Sequence, residues 1–146
     1  MKNFRDLKVW EKAHEVALAC YAVTRAFPKE ELFGLTSQIR RAGASVPANI
    51  AEGSSCGTKR DYLHFLYIAR GSLTEGQYFI HLSQRLGYLP PERSQELIAR
   101  TKQVFACLHG LIQAVEKETG RMTRIIAAAS GLIAVGFSRF ALSRMS

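Results

Sequence analysis

Apolar residues recur every three or four positions in four segments of the chain, as on the buried face of an α-helix. In the first segment these residues are Val9, Ala13, Val16, Cys20, Val23 and Phe27. In the third they are Tyr62, Leu66, Ala69, Leu73, Gly76 and Ile80, and in the fourth Leu97, Thr101, Val104, Leu108, Leu111 and Val115. No segment alternates apolar and polar residues as a half-buried strand does, so the chain is predicted to be all-α.

Helix-ending signals separate these segments. Thr58, followed three residues later by Asp61, resembles a capping box at the start of the third helix, and Gly87 is placed to end it. Pro91 suits the first turn of the fourth helix, and Gly120 is predicted to end that helix. The connections are short, which favours an antiparallel four-helix bundle. We therefore predict a bundle domain over residues 1–120 and a separate tail over residues 121–146.

The first helix carries a second apolar stripe beside the first one. Its members are Leu7, Trp10, His14, Ala17 and Tyr21. Two apolar stripes per helix are more than a small monomeric bundle needs to cover its core. Oligomerisation and an unusually large core both explain the excess.

The second segment, from about residue 35 to residue 54, contains a proline within its helical pattern. Pro47 has no N–H to donate to the carbonyl of Gly43, and its ring crowds that carbonyl. Because Gly43 has no side chain, the backbone has room to bend, which predicts a kink between the two residues or a break into two short helices. The apolar stripe continues in phase, which favours the kink. Either Ser45 or Asn49 is placed to bond the freed carbonyl, or both side chains face water.

The charge of the chain is strongly basic and unevenly distributed. Twenty Lys and Arg against twelve Asp and Glu give a net charge of +8. Residues 61–120 are neutral overall, so the excess lies in residues 1–60 and in the tail, which has four arginines and no acidic residue. This balance suits contact with nucleic acid or with an anionic membrane, and it also suits a basic protein without either partner.

The sequence contains no recognisable catalytic or metal-binding motif. It has no HExxH, GxSxG, Walker or GxGxxG pattern, and its three cysteines are far apart with no CxxC pair. We therefore predict no catalytic, cofactor-binding or metal-binding residue and no enzymatic activity. The free cysteines, and a start without an apolar run, suit a cytoplasmic protein.

Four motifs together resemble the 23S rRNA intervening-sequence proteins. They are FRDLKVWEKAHEVA, LTSQIRRAGASVPANIAEG, YLHFLYIARGSLTE and LGYL, within roughly residues 4–118. The resemblance implies an up-and-down, left-handed four-helix bundle that assembles into a ring, typically a homopentamer. A similar bundle is the accessory variability determinant of diversity-generating retroelements, which binds nucleic acid and a reverse transcriptase. The tail lies outside the resemblance.

The family pattern falls on a set of polar and glycine residues in the second and third helices. These are Arg40, Arg41, Pro47, Asn49, Glu52, Gly53, Arg70, Gly71, Ser72 and Glu75. Among them, Asn49, Glu52, Arg70 and Glu75 are candidates for a polar network between helices. Arg70 and Glu52 have opposite charge and lie on adjacent helices, so a charged hydrogen-bonded pair between them is the specific hypothesis.

Four basic residues are candidates for contact with nucleic acid or with another subunit: Arg40, Arg41, Lys59 and Arg60. Phosphate contact requires only positive charge and suitable geometry, so a ring that repeats these residues needs no recognition motif to bind RNA or DNA. Alternatively, Arg40 or Arg41 holds the assembly together through a carboxylate such as Glu52 or Glu75. The predicted function is a non-enzymatic oligomeric scaffold, with sequence-independent nucleic-acid binding as the alternative.

The tail combines an apolar run with arginines. Residues 125–137 carry no charge, which is shorter than the roughly twenty residues needed to span a bilayer. Arg121 and Arg124 before the run, with Arg139 and Arg144 after it, suit a helix that lies on an anionic membrane surface. Packing on the bundle or on another subunit, or disorder, are the other interpretations.

Overall fold

The structure is a computed structural model that describes the backbone of residues 3–143 and the side chains of residues 3–128. Four helices make up most of the chain: α1 (Lys8–Thr24), α2 (Leu35–Ser54), α3 (Lys59–Arg85) and α4 (Pro91–Ser143). Short 3-10 turns at Phe4–Asp6 and Lys29–Glu31 precede α1 and α2. The described residues contain no strand, so the all-α, four-helix prediction is confirmed.

Helices α1 and α2 pack against each other and run in opposite directions. At the end of α1, Thr24 accepts a hydrogen bond from Nε of Arg40, with a donor–acceptor distance of 2.9 Å. One turn earlier in α1, Cys20 lies against Gly43, which is one turn later in α2. Residue numbers therefore fall along α1 as they rise along α2.

Helices α2 and α3 also pack against each other and run in opposite directions. Gly53, near the end of α2, lies against Tyr62 near the start of α3, whereas Gly76 in the second half of α3 lies against Ala42. In α4, Thr101 accepts a hydrogen bond from the amide of Gln77 in α3 at 2.8 Å. The left-handed twist implied by the resemblance stays a prediction.

The predicted apolar stripes form the core. The largest fully buried apolar side chains come from α2, α3 and α4; they are Ile39, Val46, Ile50, Leu66, Leu73, Ile80, Val104 and Leu108. The second stripe of α1 is different, because only its Ala17 is buried while His14 and Tyr21 are exposed. A single chain therefore leaves much of this second stripe on its surface.

Helix α2 passes through Pro47 as one continuous helix, so the alternative of two short helices is wrong. Pro47 itself is buried within the bundle. The side-chain amide of Asn49 donates to the carbonyl of Ser45 at 2.8 Å and to its hydroxyl at 3.0 Å, rather than to the carbonyl of Gly43. The Asn49 side chain therefore bonds the carbonyl of Ser45, two residues after the Gly43 carbonyl that Pro47 leaves without its usual donor.

Two glycines let α2 approach both of its neighbours closely. A Cβ atom added to Gly43 would lie 3.0 Å from Sγ and 3.2 Å from Cβ of Cys20. A Cβ atom added to Gly53 would lie 2.9 Å from Cβ of Phe65 and from Cδ2 of Tyr62. Gly43 is therefore also required for the close contact with α1, and its predicted role in making room for Pro47 stays a prediction.

The ends of α3 match the predicted signals. The Thr58 hydroxyl accepts a hydrogen bond from the backbone N–H of Asp61 at 3.1 Å and donates to its carboxylate at 2.6 Å. At the other end Gly87 has a positive φ of 78°, which a glycine adopts without strain. The N–H of Tyr88 donates to the Ser83 carbonyl at 3.0 Å, completing a Schellman motif that turns the chain toward α4.

The prediction that Gly120 ends the fourth helix is wrong, because α4 continues to Ser143. A glycine inside a helix costs only about 1 kcal/mol relative to alanine and does not by itself stop the helix. The chain forms two compact units, Met1–Ile112 and Gln113–Ser146. The sequence-based domain boundary at residue 120 stays a prediction. Among the described residues, no helix has a stretch long and apolar enough to cross a bilayer.

The contact between Gly43 and Cys20 gives the first prediction. Gly43→Leu is expected to lower the free energy of unfolding by about 1–3 kcal/mol through overpacking, measured by urea denaturation. Gly76→Ala is the control, since its new Cβ would meet only the Cβ of Ala42, at an ordinary 3.7 Å. That control is expected to be neutral or slightly stabilising. A Gly43→Leu variant as stable as the parent would contradict the close approach of α1 and α2.

Burial of Cys20 gives the second prediction. Loss of hydration raises the pKa of its thiol from its ordinary 9.0 to about 12. The unfolded chain therefore loses this proton first, so the thiol's contribution to stability is complete below pH 9 and declines as pH rises toward 12. We expect iodoacetamide at mildly alkaline pH to label the half-buried Cys56 and Cys107 well before Cys20, as measured by mass spectrometry. Equal labelling of all three in the folded protein would contradict the packing at Gly43.

Candidate functional site

An open groove of about 760 Å³ lies along α2 and contains several of the predicted site residues. We call it the arginine groove. Its lining comes from α1, the segment before α2, α2 itself and α3, and comprises Tyr21, Leu32, Phe33, Thr36, Ser37, Arg40, Arg41, Ala42, Ala44, Ser45, Ala48, Ser72 and Glu75.

Within this groove, contacts from α1 fix the position of Arg40. Its Nε donates to the Thr24 hydroxyl at 2.9 Å, and its guanidinium carbon lies 5.0 Å from the centre of the Tyr21 ring. The Thr24 hydroxyl in turn donates to the backbone carbonyl of Cys20 at 2.8 Å. Because one hydrogen bond and one cation–π contact hold it, the Arg40 guanidinium is an oriented part of the groove wall.

Arg41, in contrast, is an exposed cation of the same groove. Glu75 from α3 lines the groove as well, so the structure brings together Arg40, Arg41 and Glu75 from the sequence-predicted set. Among the side chains that the structure describes, no ion pair joins Arg41 to Glu75. The groove therefore offers both signs of charge to whatever enters it.

Three apolar side chains that line the groove are exposed to solvent. Phe33 is 92% exposed, Leu32 is 50% exposed and Tyr21 is 46% exposed. Phe33 and Leu32 belong to the segment between the Lys29–Glu31 turn and α2, and Tyr21 belongs to the second stripe of α1. All three side chains line the groove, so a partner that enters the groove would contact exposed apolar side chains.

The floor of the groove is made of small side chains. Ala44 and Ala48 are one turn apart on α2, and Ala48 is exposed. Ser45 and Ser72 share a hydrogen bond of 2.9 Å between their hydroxyl oxygens, which joins α2 to α3 beneath the groove. Such a floor allows the backbone of another helix to approach closely.

The other two predicted basic residues lie elsewhere. Lys59 and Arg60 are exposed in the first turn of α3, beyond the end of α2. That turn is separated from Arg41 by about 20 Å along α2, at 1.5 Å per residue. The four predicted basic residues therefore belong to two separate surfaces of one chain.

The predicted pair between Arg70 and Glu52 does not form among the described side chains. The guanidinium carbon of Arg70 lies 4.7 Å from the centre of the Tyr67 ring, and Glu52 is exposed. The helices run in opposite directions, so the Ser45–Ser72 contact puts Arg70 level with Pro47, roughly 8 Å along the axis from Glu52. The polar contact between α2 and α3 is instead made by Asn49, Ser45 and Ser72.

Sequence reasoning missed Thr24 and Phe33 as parts of the site, and it named Ser72 only as part of the family pattern. Phe33 is in no apolar stripe, and its position beside Gly34 gave no sign that the ring would be exposed next to Arg41. Thr24 could have been identified from the sequence, because a polar residue on the buried side of α1 needs a hydrogen-bond partner. The described residues contain no group of three or more His, Cys, Asp or Glu side chains arranged to hold a metal ion.

Known proteins resemble both the sequence and the fold. The profile of the family described as 23S rRNA-intervening sequence protein matches residues 5–110. None of the curated proteins matches the chain. The crystal structure of a protein of unknown function from the S23 ribosomal protein family of Bacteroides thetaiotaomicron is similar, with a TM-score of 0.67 and 25% sequence identity over 72% of this chain and 95% of that chain. The chain therefore belongs to the 23S rRNA-intervening sequence protein family.

Proposed function

We propose that the chain is a non-enzymatic scaffold that works as a homo-oligomer, with the arginine groove as a contact between copies. The observation that carries the proposal is the exposure of three apolar side chains that line the groove. The ring of Phe33 is almost entirely in water, and Leu32 and Tyr21 beside it are about half exposed.

Exposed apolar area of this kind is unfavourable in a free monomer. Full burial of a phenylalanine or leucine side chain is worth about 1.5–3 kcal/mol, so covering this surface would contribute substantially to association. The groove combines exposed apolar side chains with charged and hydroxyl side chains, and protein–protein interfaces contain both kinds. The exposed second stripe of α1 leads into this surface through Tyr21.

The shape of the groove favours a helix from a second copy as its occupant. The floor at Ala44 and Ala48 has no large side chain, so an incoming helix can approach α2 closely. Glu75 and Arg41 at the rim give an incoming subunit a partner of either charge. A ring of copies, as the resemblance implies, would bury one such groove per subunit.

Light scattering of the full chain tests the scaffold. We expect a mass well above the 16.3 kDa of one chain at micromolar concentration. Phe33→Ser removes the exposed ring, and Ala48→Arg fills the groove floor; both are expected to lower the mass toward that of a monomer. Neither replaced side chain is buried in the single chain, so each variant is expected to keep the helical content of the parent in circular dichroism.

Tyr78→Ser is the matched control for these variants. Tyr78 is also an exposed aromatic residue, but it lies on α3 outside the groove. We expect it to retain the mass of the parent. A monomeric parent, or groove variants that keep the parent mass, would contradict the proposal.

Nucleic-acid binding is a second candidate function, and one observation favours it. An exposed cation, Arg41, lies in the same groove as two exposed aromatic rings, Tyr21 and Phe33. Phosphate contact by arginine and base stacking on aromatic rings are the two elements of sequence-independent binding to single strands. Glu75 opposes this function, since a carboxylate in the groove repels phosphate.

A gel shift with single-stranded RNA, run beside light scattering, tests this candidate. If Arg41 contacts phosphate, Arg41→Glu weakens binding and reduces the slope of log affinity against log salt by about 0.7. Arg85→Glu makes the same charge change on an exposed residue outside the groove and is expected to have a smaller effect. Loss of the oligomer in Arg41→Glu would assign Arg41 to subunit contact. Intact oligomers with unchanged binding would leave it without either role.

A further inference from the structure

The extension of α4 carries large apolar side chains that are exposed. The buried stripe of α4 continues through Val104, Leu108 and Ile112 and ends at Val115, the last buried residue among the side chains described. The helix itself continues to Ser143. Beyond Val115 the large apolar side chains are exposed: Met122 and Ile125 are each 59% exposed and Ile126 is 61% exposed.

A basic stripe runs beside this apolar surface. Lys117, Arg121 and Arg124 are spaced by four and three residues, so they lie along one side of the helix. All three are exposed, and together with Ile125 and Ala128 they line a shallow patch on the extension. From residue 119 to the end the sequence contains four arginines and no acidic residue. Apart from Glu118, all the charged residues of the extension from Lys117 onward are therefore basic, and they accompany exposed apolar side chains.

We propose that the extension of α4, from Lys117 onward, is a membrane anchor that lies on the surface of an anionic bilayer. An anionic lipid surface supplies both kinds of contact that the helix requires. Its acyl boundary covers Met122, Ile125 and Ile126, and its headgroups carry the negative charge for Arg121 and Arg124. The uncharged run at residues 125–137 is too short to span the hydrocarbon core, which favours a position in the plane of the interface.

Other partners would make favourable contact with only part of this surface, either its apolar side chains or its arginines. A second copy of the extension would cover the isoleucines, but it would bring a second row of cations near the first. A nucleic acid would neutralise the arginines and leave the apolar side chains in water. The family profile ends at residue 110, so this anchor is a property of this chain beyond the family match.

Vesicle sedimentation of the full chain tests the anchor. The probes are vesicles of phosphatidylcholine alone and vesicles of phosphatidylcholine mixed equally with phosphatidylglycerol. We expect binding to the mixed vesicles, weakening as salt is raised, and little binding to phosphatidylcholine alone. Arg121→Gln with Arg124→Gln is expected to lower the affinity for mixed vesicles by about 30-fold, or roughly fivefold per basic residue.

A matched control removes the same number of positive charges from the first unit of the chain. Arg93→Gln with Arg100→Gln also removes two exposed arginines of α4, and is expected to leave vesicle affinity unchanged. Ile125→Ser with Ile126→Ser tests the apolar contact and is expected to lower affinity by about a hundredfold or more. All the replaced side chains are substantially exposed, so circular dichroism is expected to show the parent fold in each variant.

Several outcomes would overturn the anchor. One is the absence of binding to mixed vesicles, or equal binding to both kinds of vesicle. Another is an equal loss in the Arg93/Arg100 control, which would indicate a general charge effect. If the Ile125/Ile126 variant lowers the oligomer mass without changing vesicle affinity, the apolar surface belongs to contact between copies. If the Arg121/Arg124 variant loses RNA binding and keeps vesicle binding, the arginines serve nucleic acid.

Discussion

The close approach of α2 to its two neighbours is the contact on which the rest of the bundle depends. At Gly43 the backbone of α2 comes close enough to Cys20 that a single added carbon would touch its sulfur, and at Gly53 the same holds for α3. Interaxial distance is set by the side chains at the contact, so two glycines on one helix allow α2 to pack tightly on both sides. The buried positions of Ile39, Val46 and Ile50 then follow from this spacing.

The geometry of the arginine groove follows from that packing. Because α1 lies close to α2, Thr24 reaches Arg40, and Tyr21 from the same turn lies over the guanidinium. Because α3 lies close on the other side, Ser72 meets Ser45 and forms a small-residue floor. The groove is thus a consequence of helix spacing, and Phe33 is the lining residue that the single chain leaves most exposed.

Much of the fold followed from the sequence because periodicity and capping are local. The limits of α3 are an example, since Thr58 and Gly87 act through contacts within a few residues. One error came from the same local reasoning. Gly120 was expected to stop α4, but a stop also needs a left-handed backbone and a partner for the last carbonyls. For Gly43 the explanation by Pro47 stays a prediction, and the structure adds a contact with Cys20 on α1 that no local pattern showed.

The candidate site was less predictable because it is made of contacts between distant segments. The sequence singled out Arg40, Arg41 and Glu75, and the structure brings these into one groove. It grouped Lys59 and Arg60 with them by charge alone, and distance along the helices separates the two pairs. The exposure of Phe33 depends on where a short connecting segment lies, which no residue pattern specifies.

The Thr24 hydroxyl has a consequence for how this sequence can evolve. It donates its one proton to a backbone carbonyl of α1 and accepts from Nε of Arg40, so its hydrogen-bonding role is specified on both sides. Serine preserves both bonds, whereas valine, of nearly the same shape, leaves the guanidinium without its acceptor at a partly buried position. Positions 24 and 40 are therefore constrained as a pair, and substitution at one changes the set of residues tolerated at the other.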